Sequence, residues 1–293
     1  MNYKRREFIR LGGQLTAGLV VGSWACNSMS EGSQSTVAKP LGDFGLQLYS
    51  LRDDMPKDPK GILKQVSSFG YKQIESYDHG QLGMFWGMSP SDLKKYMDEL
   101  GMVIISSHCN IDKDFEKKVD QAASIGMRYL ICPWKDPQKD LDGCKKIAAQ
   151  FNQCGEICKK AGIRFAYHNH DQEFKVIEGQ MVQDIFMANT DVSLVDFEMD
   201  IYWVVTAGQD PEAWLKKYPN RFRLCHVKDR AKGATKREET CDLGTGSIDY
   251  TPILKTAKKN GMQYYIAEQE HYPDSTPVKS AEVDAGYMKK LTI

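Results

Sequence analysis

The 293-residue chain has no excess of charge of either sign, since 39 Lys and Arg balance 39 Asp and Glu. A dedicated nucleic-acid binder carries a basic excess, so that class is excluded and no polyanionic partner is implied. Long apolar runs are missing as well. The mean hydropathy of −0.50 excludes a multi-pass membrane protein. Eight cysteines are too few for a disulfide scaffold. Cys154 and Cys158 lie one helical turn apart with no second pair at metal spacing, so structural zinc is not implied. Cys109, Cys132 and Cys225 fall in apolar runs and read as buried thiols. No Gly-x-Gly-x-x-Gly turn follows the first strand, which removes a dinucleotide site of that kind. What is present is 41% hydrophobic and 27% charged residues, enough for a sizeable core.

Residues 1–26 read as an export signal outside the fold. Arg5-Arg6 before Phe8 resembles a twin-arginine signal, and the stretch from Leu11 to Ala25 is too short and Gly-rich for a stable span. Ser23-Trp24-Ala25 suits signal peptidase, and Cys26 behind it offers a lipid-attachment site, the one route to a membrane. Residues 27–41 form a polar tether. The expectation is a periplasmic or cell-envelope protein.

From Phe44 onward, short apolar runs alternate with amphipathic stretches. The runs are 45–49, 73–77, 103–108, 129–134, 164–168, 192–197, 222–227 and 264–268. The stretches between them carry helical spacing, as in Ile62, Leu63, Val66 and Phe69. Gly70, Gly101, Gly126, Gly162 and Gly261 stand where helices close, and Ser89-Pro90 and Thr251-Pro252 where helices start. Alternating β and α elements predict a parallel sheet. Eight units in about 250 residues predict an α/β fold of the (β/α)8 TIM-barrel type, one domain over residues 42–293.

Chemistry in such a barrel sits at the C-terminal ends of the strands. His108, His168, His170, His226 and His271 fall at or just past those ends, and His79 lies two residues past Tyr77. Glu75, Asp200, Asp229, Glu268 and Glu270 join them. Alternation along a strand makes His168 and His170 share a face, as do Glu268 and Glu270. His168, Asp200, His226 and Glu268 come from four successive strand ends and offer two nitrogens and two oxygens. That set suits one divalent ion, zinc, manganese, iron or cobalt more than magnesium. Glu198 reads as an outer carboxylate or an alternative ligand. Plainer readings stand beside these. Glu75 could pair with Lys72 or an arginine, His108 could be a core imidazole, and His79 and His271 could be solvated loop residues. Trp86, Trp134 and Trp203 suit packing and sugar stacking equally.

Taken in order, the pieces resemble a known family. They are Gly45-Leu46-Gln47-Leu48-Tyr49, Gly70-Tyr71-Lys72-Gln73-Ile74-Glu75, Ser107-His108, Tyr167-His168-Asn169-His170-Asp171, Asp200-Ile201-Tyr202-Trp203, His226-Val227-Lys228-Asp229 and the Gly-rich loop 243–250. Their order and spacing resemble the xylose isomerase-like TIM-barrel superfamily, the sugar phosphate isomerase/epimerase group, over roughly residues 42–293. The resemblance implies one divalent metal ion held by Glu, Asp, His and Glu at the ends of strands five to eight. By position the last three are Asp200, His226 and Glu268, and the first is His168, where a Glu is common. Family epimerases can use the strand-five and strand-eight glutamates as paired proton-transfer groups, so His168 removes one carboxylate base.

The implied reaction is proton abstraction beside a carbonyl on a free keto- or aldo-sugar, ending in an isomer, an epimer or an elimination product. Glu268, His108 and His170 are the candidate bases. Glu75, Trp134, Asn169, Trp203 and Lys228 are expected to contact the carbohydrate substrate. The alternatives are a metal-dependent lyase acting on 3-keto-glycosides and a non-catalytic sugar-binding lipoprotein. Export favours a free or glycosidic sugar over a phosphorylated one, and Gly244-Thr245-Gly246 is the only short turn suited to cradling a phosphate.

Overall fold

The computed structural model describes residues 39–293. The export signal, Cys26 and most of the expected tether lie outside these residues. The last tether residues are already part of the fold: Leu41 N–H donates to Leu291 O at 2.9 Å, and Ile293 N–H to Lys39 O at 2.8 Å.

Eight parallel strands close a barrel. They are β1 (Gly45–Gln47), β2 (Gln73–Tyr77), β3 (Val103–His108), β4 (Tyr129–Cys132), β5 (Arg164–His168), β6 (Val195–Asp200), β7 (Phe222–Val227) and β8 (Tyr264–Ala267). Each pairs with its neighbours in sequence, and β1 closes the ring against β8 with Gly45 opposite Ile266. The helices are α1 (Pro59–Phe69), α2 (Pro90–Glu99), α3 (Phe115–Ser124), α4 (Leu141–Lys160), α5 (Val182–Asn189), α6 (Ile201–Thr206), α7 (Pro211–Lys217), α8 (Tyr250–Lys259) and α9 (Pro277–Met288). The chain therefore has the expected (β/α)8 architecture.

Local chemistry sets the element ends. Ser89 Oγ accepts from Asp92 N–H at 3.1 Å ahead of Pro90 and starts α2. Gly70 closes α1 at φ +100°, a left-handed conformation that costs glycine little. The start of α8 is not Thr251-Pro252. Asp249 takes the cap, its carboxylate accepting from Thr251 N–H at 3.2 Å, so the helix begins at Tyr250.

The sixth strand also differs from the expected 192–197. Leu194 and Val195 donate to Asp191 O at 3.0 and 2.9 Å, which makes 191–194 a turn and leaves Val192 65% exposed. The strand starts three residues later, and Asp200 is its last residue rather than a loop residue beyond it.

Inside the barrel, Ile105, Tyr129, Ile131, Ala166, Leu224 and Ile266 form an apolar plug. Two residues further along three of these strands stand His168, His226 and Glu268. The outward faces, with Leu46, Phe165, Phe197, Cys225 and Val227, pack against the helices. All described cysteines are free thiols and only Cys241 is not buried. No helix among the described residues is long and apolar enough to cross a membrane.

Candidate metal and catalytic site

Above the plug, the polar ends of the strands meet in one buried cluster. A register shift at Ile74 and Glu75 brings Glu75 and Ser106 together on the lumen side. Glu75 has no exposed surface. It accepts from Gln47 Nε2 at 2.7 Å and Ser106 Oγ at 2.6 Å, and lies 2.7 Å from His226 Nε2 and 3.1 Å from His108 Nε2. Burial alone would raise its pKa, but His108 and His226 hold it well below the usual carboxylate range. Glu75 is therefore neither a partner of Lys72 nor a wall of a substrate cavity. It orients imidazoles from beneath.

Glu198 makes a second bridge. Its Oε2 lies 2.8 Å from His108 Nε2 and 3.0 Å from His168 Nδ1. Burial, then the nearby Glu75 charge, pushes the Glu198 pKa up to about 7. Burial opposes a charge on His108, yet Glu75 and Glu198 raise it to about 9. His168 goes the other way: burial, then the imidazoles of His226, His170 and His108, hold it well below its usual value.

Asp200 ends β6 and caps α6, its Oδ1 accepting from Trp203 N–H at 3.0 Å. Asn169 grips its backbone from β5, donating to Asp200 O and accepting from Asp200 N–H, both at 3.3 Å. The other oxygen, Oδ2, is buried without a hydrogen-bond partner. Three nitrogens face it from a distance: His226 Nδ1 at 3.7 Å, His168 Nε2 at 3.8 Å and Lys228 Nζ at 3.8 Å. Glu268 Oε2 lies 3.1 Å from the same His226 Nδ1 and accepts from Lys228 Nζ at 3.3 Å.

These positions fit a divalent ion. Asp200, His226 and Glu268 turn donor atoms toward one point, with a carboxylate oxygen left unfilled there. The far nitrogen of His226 meets Glu75 and that of His168 meets Glu198, the outer carboxylate arrangement that orients metal-binding imidazoles. The four expected ligands do not form one equal set, however. His168 stands beside Asp200 and His226 but groups with His108, Glu198 and His226 and not with Glu268. Lys228 also competes for the Asp200 and Glu268 oxygens, while its contact with Glu270 draws it aside.

A cavity of about 310 Å³ opens over the cluster, with His108, His168, His170, Glu268 and Glu270 on its floor and sides, and Tyr49, Tyr77 and Trp134 around them. All three candidate bases line it, but they differ electrically. Burial pushes His170 down to about 4 against the opposing pull of Asp200. Burial would raise Glu268, but Lys228 and His226 hold it well below its usual value.

Of the expected substrate contacts only Trp134 lines the cavity. Glu75 lies beneath, and Asn169 is spent on Asp200. Lys228 is fully buried among Glu268, Glu270 and the Trp203 ring. Trp203 is packed between His170 and Arg237, with centroid distances of 5.6 and 4.4 Å. Their buried positions are corrections to the sequence reading. His79 packs half-buried against Trp86, and His271 is exposed; neither lines the cavity. Tyr49, Tyr77 and Asp78 had no assigned role, although Tyr77 ends β2 at the expected rim.

The Gly-rich turn is already filled. Gly244 and Gly246 N–H groups donate to Asp229 Oδ2 at 2.9 and 3.0 Å, and Ile248 N–H donates to Oδ1 at 3.2 Å. An internal carboxylate thus takes the place of a phosphate. Three cations near the mouth are paired, Lys118 to Asp78 at 2.8 Å, Lys135 to Asp112 at 2.7 Å and Arg237 to Asp171 at 2.7 Å, whereas Arg52 lies over the Tyr49 ring and donates to Glu270 O at 2.8 Å.

Residues 63–291 match the family described as xylose isomerase-like TIM barrel. An inosose dehydratase of Clostridium perfringens is 30% identical over 164 residues, covering 50% of this chain and 54% of that protein. The chain thus spans about half the length of the clostridial relatives it matches. A solved structure from Parabacteroides distasonis, described as a sugar phosphate isomerase/epimerase, is 31% identical, with a TM-score of 0.74 over 87% of this chain and 95% of that one. The structure of an IolI protein with a bound zinc atom shares the fold at 14% identity and a TM-score of 0.67, over 83% of this chain and 95% of that one.

Proposed function

The chain belongs to the xylose isomerase-like TIM barrel family, and from that premise we propose that it is a sugar-modifying enzyme using one divalent metal ion to eliminate water or an alcohol from a neutral polyhydroxylated ketone. Asp200, His226 and Glu268 would hold the ion, with His168 beside them. The zinc in the similarly folded IolI protein supports a divalent ion in such a barrel. Bound there, the ion supplies Lewis-acid polarisation of the substrate carbonyl.

The observation that carries the elimination reading is two imidazoles on the cavity wall in opposite surroundings. His170 lies against the Trp134 and Trp203 rings, and burial drives it toward its neutral form. His108 Nε2 lies 2.8 Å from Glu198 and 3.1 Å from Glu75, which favour its protonated form. Two like groups in such different surroundings suit a base and an acid. Two-carboxylate epimerisation would want a carboxylate where His168 stands. In the proposed step His170 takes the proton from the carbon beside the carbonyl. That electron pair becomes the new C=C bond as the C–O bond on the next carbon breaks, and the departing oxygen takes the proton of His108. The products are an unsaturated ketone and water or an alcohol. Glu75 and Glu198 hold His108 in its charged form. The name dehydratase borne by the clostridial relatives agrees with an elimination.

A neutral substrate fits the lining. Glu268, Glu270 and Asp78 face the cavity, Lys118 is bound to Asp78, Arg52 is turned onto the Glu270 carbonyl, and the Gly-rich turn holds Asp229. Export to the periplasm or envelope through residues 1–26, with Cys26 as the lipid site, belongs to the same proposal. Fractionation of cells carrying the protein and its Cys26→Ala variant tests it.

The reaction is tested with the full chain loaded with zinc or manganese and given an inosose or a 3-keto-glycoside in D₂O. The expected result is a conjugated ketone with release of water or alcohol. Formation of a deuterated epimer or isomer without that ketone would replace elimination by isomerisation.

A further inference from the structure

Beside the reaction cavity lies a second, open cleft of about 460 Å³, and the two share a wall made of Cys109, Asn110, Pro133 and Trp134. Trp134 stands on this partition. It is 44% exposed, whereas Trp86, Trp203 and Trp214 are at most 5% exposed. The ring is nevertheless fixed. It makes a T-shaped pair with the His170 ring at a centroid distance of 5.0 Å, and its Nε1–H donates to Asp136 Oδ1 at 3.3 Å. A large apolar ring held in place and left open to water is a stacking platform, because it still has apolar area to bury.

The outer cleft offers no free charge for an anion. Its one lining cation, Lys135, is bound to Asp112, which also accepts from Gln150 Nε2 at 2.6 Å. Asp136, at the edge of the tryptophan, and Gln138 contribute a carboxylate and an amide to the same cleft. An aromatic face with polar hydrogen-bonding groups around it recognises a neutral hydroxylated ring. The inner cavity is at the small end of the roughly 300–1,000 Å³ of ligand pockets and takes one such ring.

We propose that the outer cleft is a second sugar subsite, so that the substrate is a two-ring glycoside: a keto ring in the inner cavity, joined across Trp134 to a second neutral ring outside. The proposal rests on the function proposed above for the role of the inner cavity. His108 lines the inner cavity and directly precedes the shared-wall residues Cys109 and Asn110, which puts the proton donor on the inner side of the junction. The bridging oxygen is then the one that departs: its bond to the keto ring breaks, it takes the His108 proton, and the second ring leaves as a free alcohol.

The test is calorimetric binding to the full-length protein, with glucose and myo-inositol as one-ring probes and cellobiose, maltose and lactose as two-ring probes. At least one two-ring probe should bind about tenfold more tightly than glucose, a preference lost in Trp134→Ala and reduced in Gln138→Ala. Tryptophan emission should shift with the two-ring probe in the parent protein and not in Trp134→Ala. The subsite is overturned if no two-ring probe binds more tightly than glucose, absence of all binding included, or if the preference survives Trp134→Ala. Binding needs no turnover. A failed subsite leaves metal content and elimination from an inosose intact, whereas a failed elimination reading leaves the two-ring preference intact.

Discussion

Asp196 and Asp200 lie four residues apart on β6, on the same face, and have opposite surroundings. Asp196 is matched on both oxygens: Oδ1 accepts from Arg164 Nη2 at 2.8 Å and Oδ2 from Tyr129 OH at 3.1 Å. Asp200 has one oxygen on the α6 cap and the other buried without a partner, ringed by three nitrogens at 3.7–3.8 Å. The apolar plug lies alongside them on the neighbouring strands, Ala166 in register with Asp196 and Leu224 with Glu198. Both carboxylates are buried, so burial does not separate structure from function here. Completion does: a charge with every partner in place closes the lower end of the barrel, and a charge with a partner missing marks where something binds.

The comparison can be broken at its upper end first. Asp200→Ala should abolish turnover of any keto-sugar, because it removes the unfilled oxygen that the ion needs; steady-state assay with added zinc or manganese checks this. His170→Ala should keep its metal and slow turnover by about 10²–10⁴-fold, the usual worth of a positioned proton-transfer group. Glu75→Gln touches neither substrate nor ion. It should weaken metal affinity by about 10–100-fold, measured by competition with a chelator, because it loosens the His226 ring. At the lower end, Asp196→Ala should bind metal normally and lose about 1–3 kcal/mol in urea unfolding, since it strands the Tyr129 hydroxyl and the Arg164 guanidinium. The last effect is with pH. Burial lowers His170 from 6.5 to about 4, so the unfolded chain binds the proton more readily. Its contribution to stability is complete above pH 6.5 and is lost as pH falls toward 4. Thermal unfolding of His170→Ala should show a shallower decline over that window.

The strands were legible because a parallel barrel buries both faces of each strand, leaving runs such as 129–134, apolar throughout, and 222–227, apolar except for Arg223 and His226. The sixth run failed because Val192 is an apolar residue in a turn, made by the Asp191 carbonyl and side chain. The chemical types at the strand ends were legible too, since alternation assigns His168, His226 and Glu268 to the lumen. Depth was not. The register shift at Glu75 and the immediate turn from Asp200 into α6 decide which groups reach the cavity. Glu75, Asn169, Lys228 and Trp203 consequently lie behind the wall they were expected to form. Partial burial of a rim aromatic is set by long-range packing, which is why three tryptophans that looked alike in sequence divide into buried Trp86 and Trp203 and exposed Trp134.

The most direct test is elemental analysis of the full-length protein beside Asp200→Ala and Asp196→Ala, each reloaded with zinc or manganese and dialysed. The account predicts about one ion per chain in the parent and in Asp196→Ala, and almost none in Asp200→Ala. A parent protein that holds no ion after reloading, or an Asp200→Ala variant that holds as much as the parent, would contradict it.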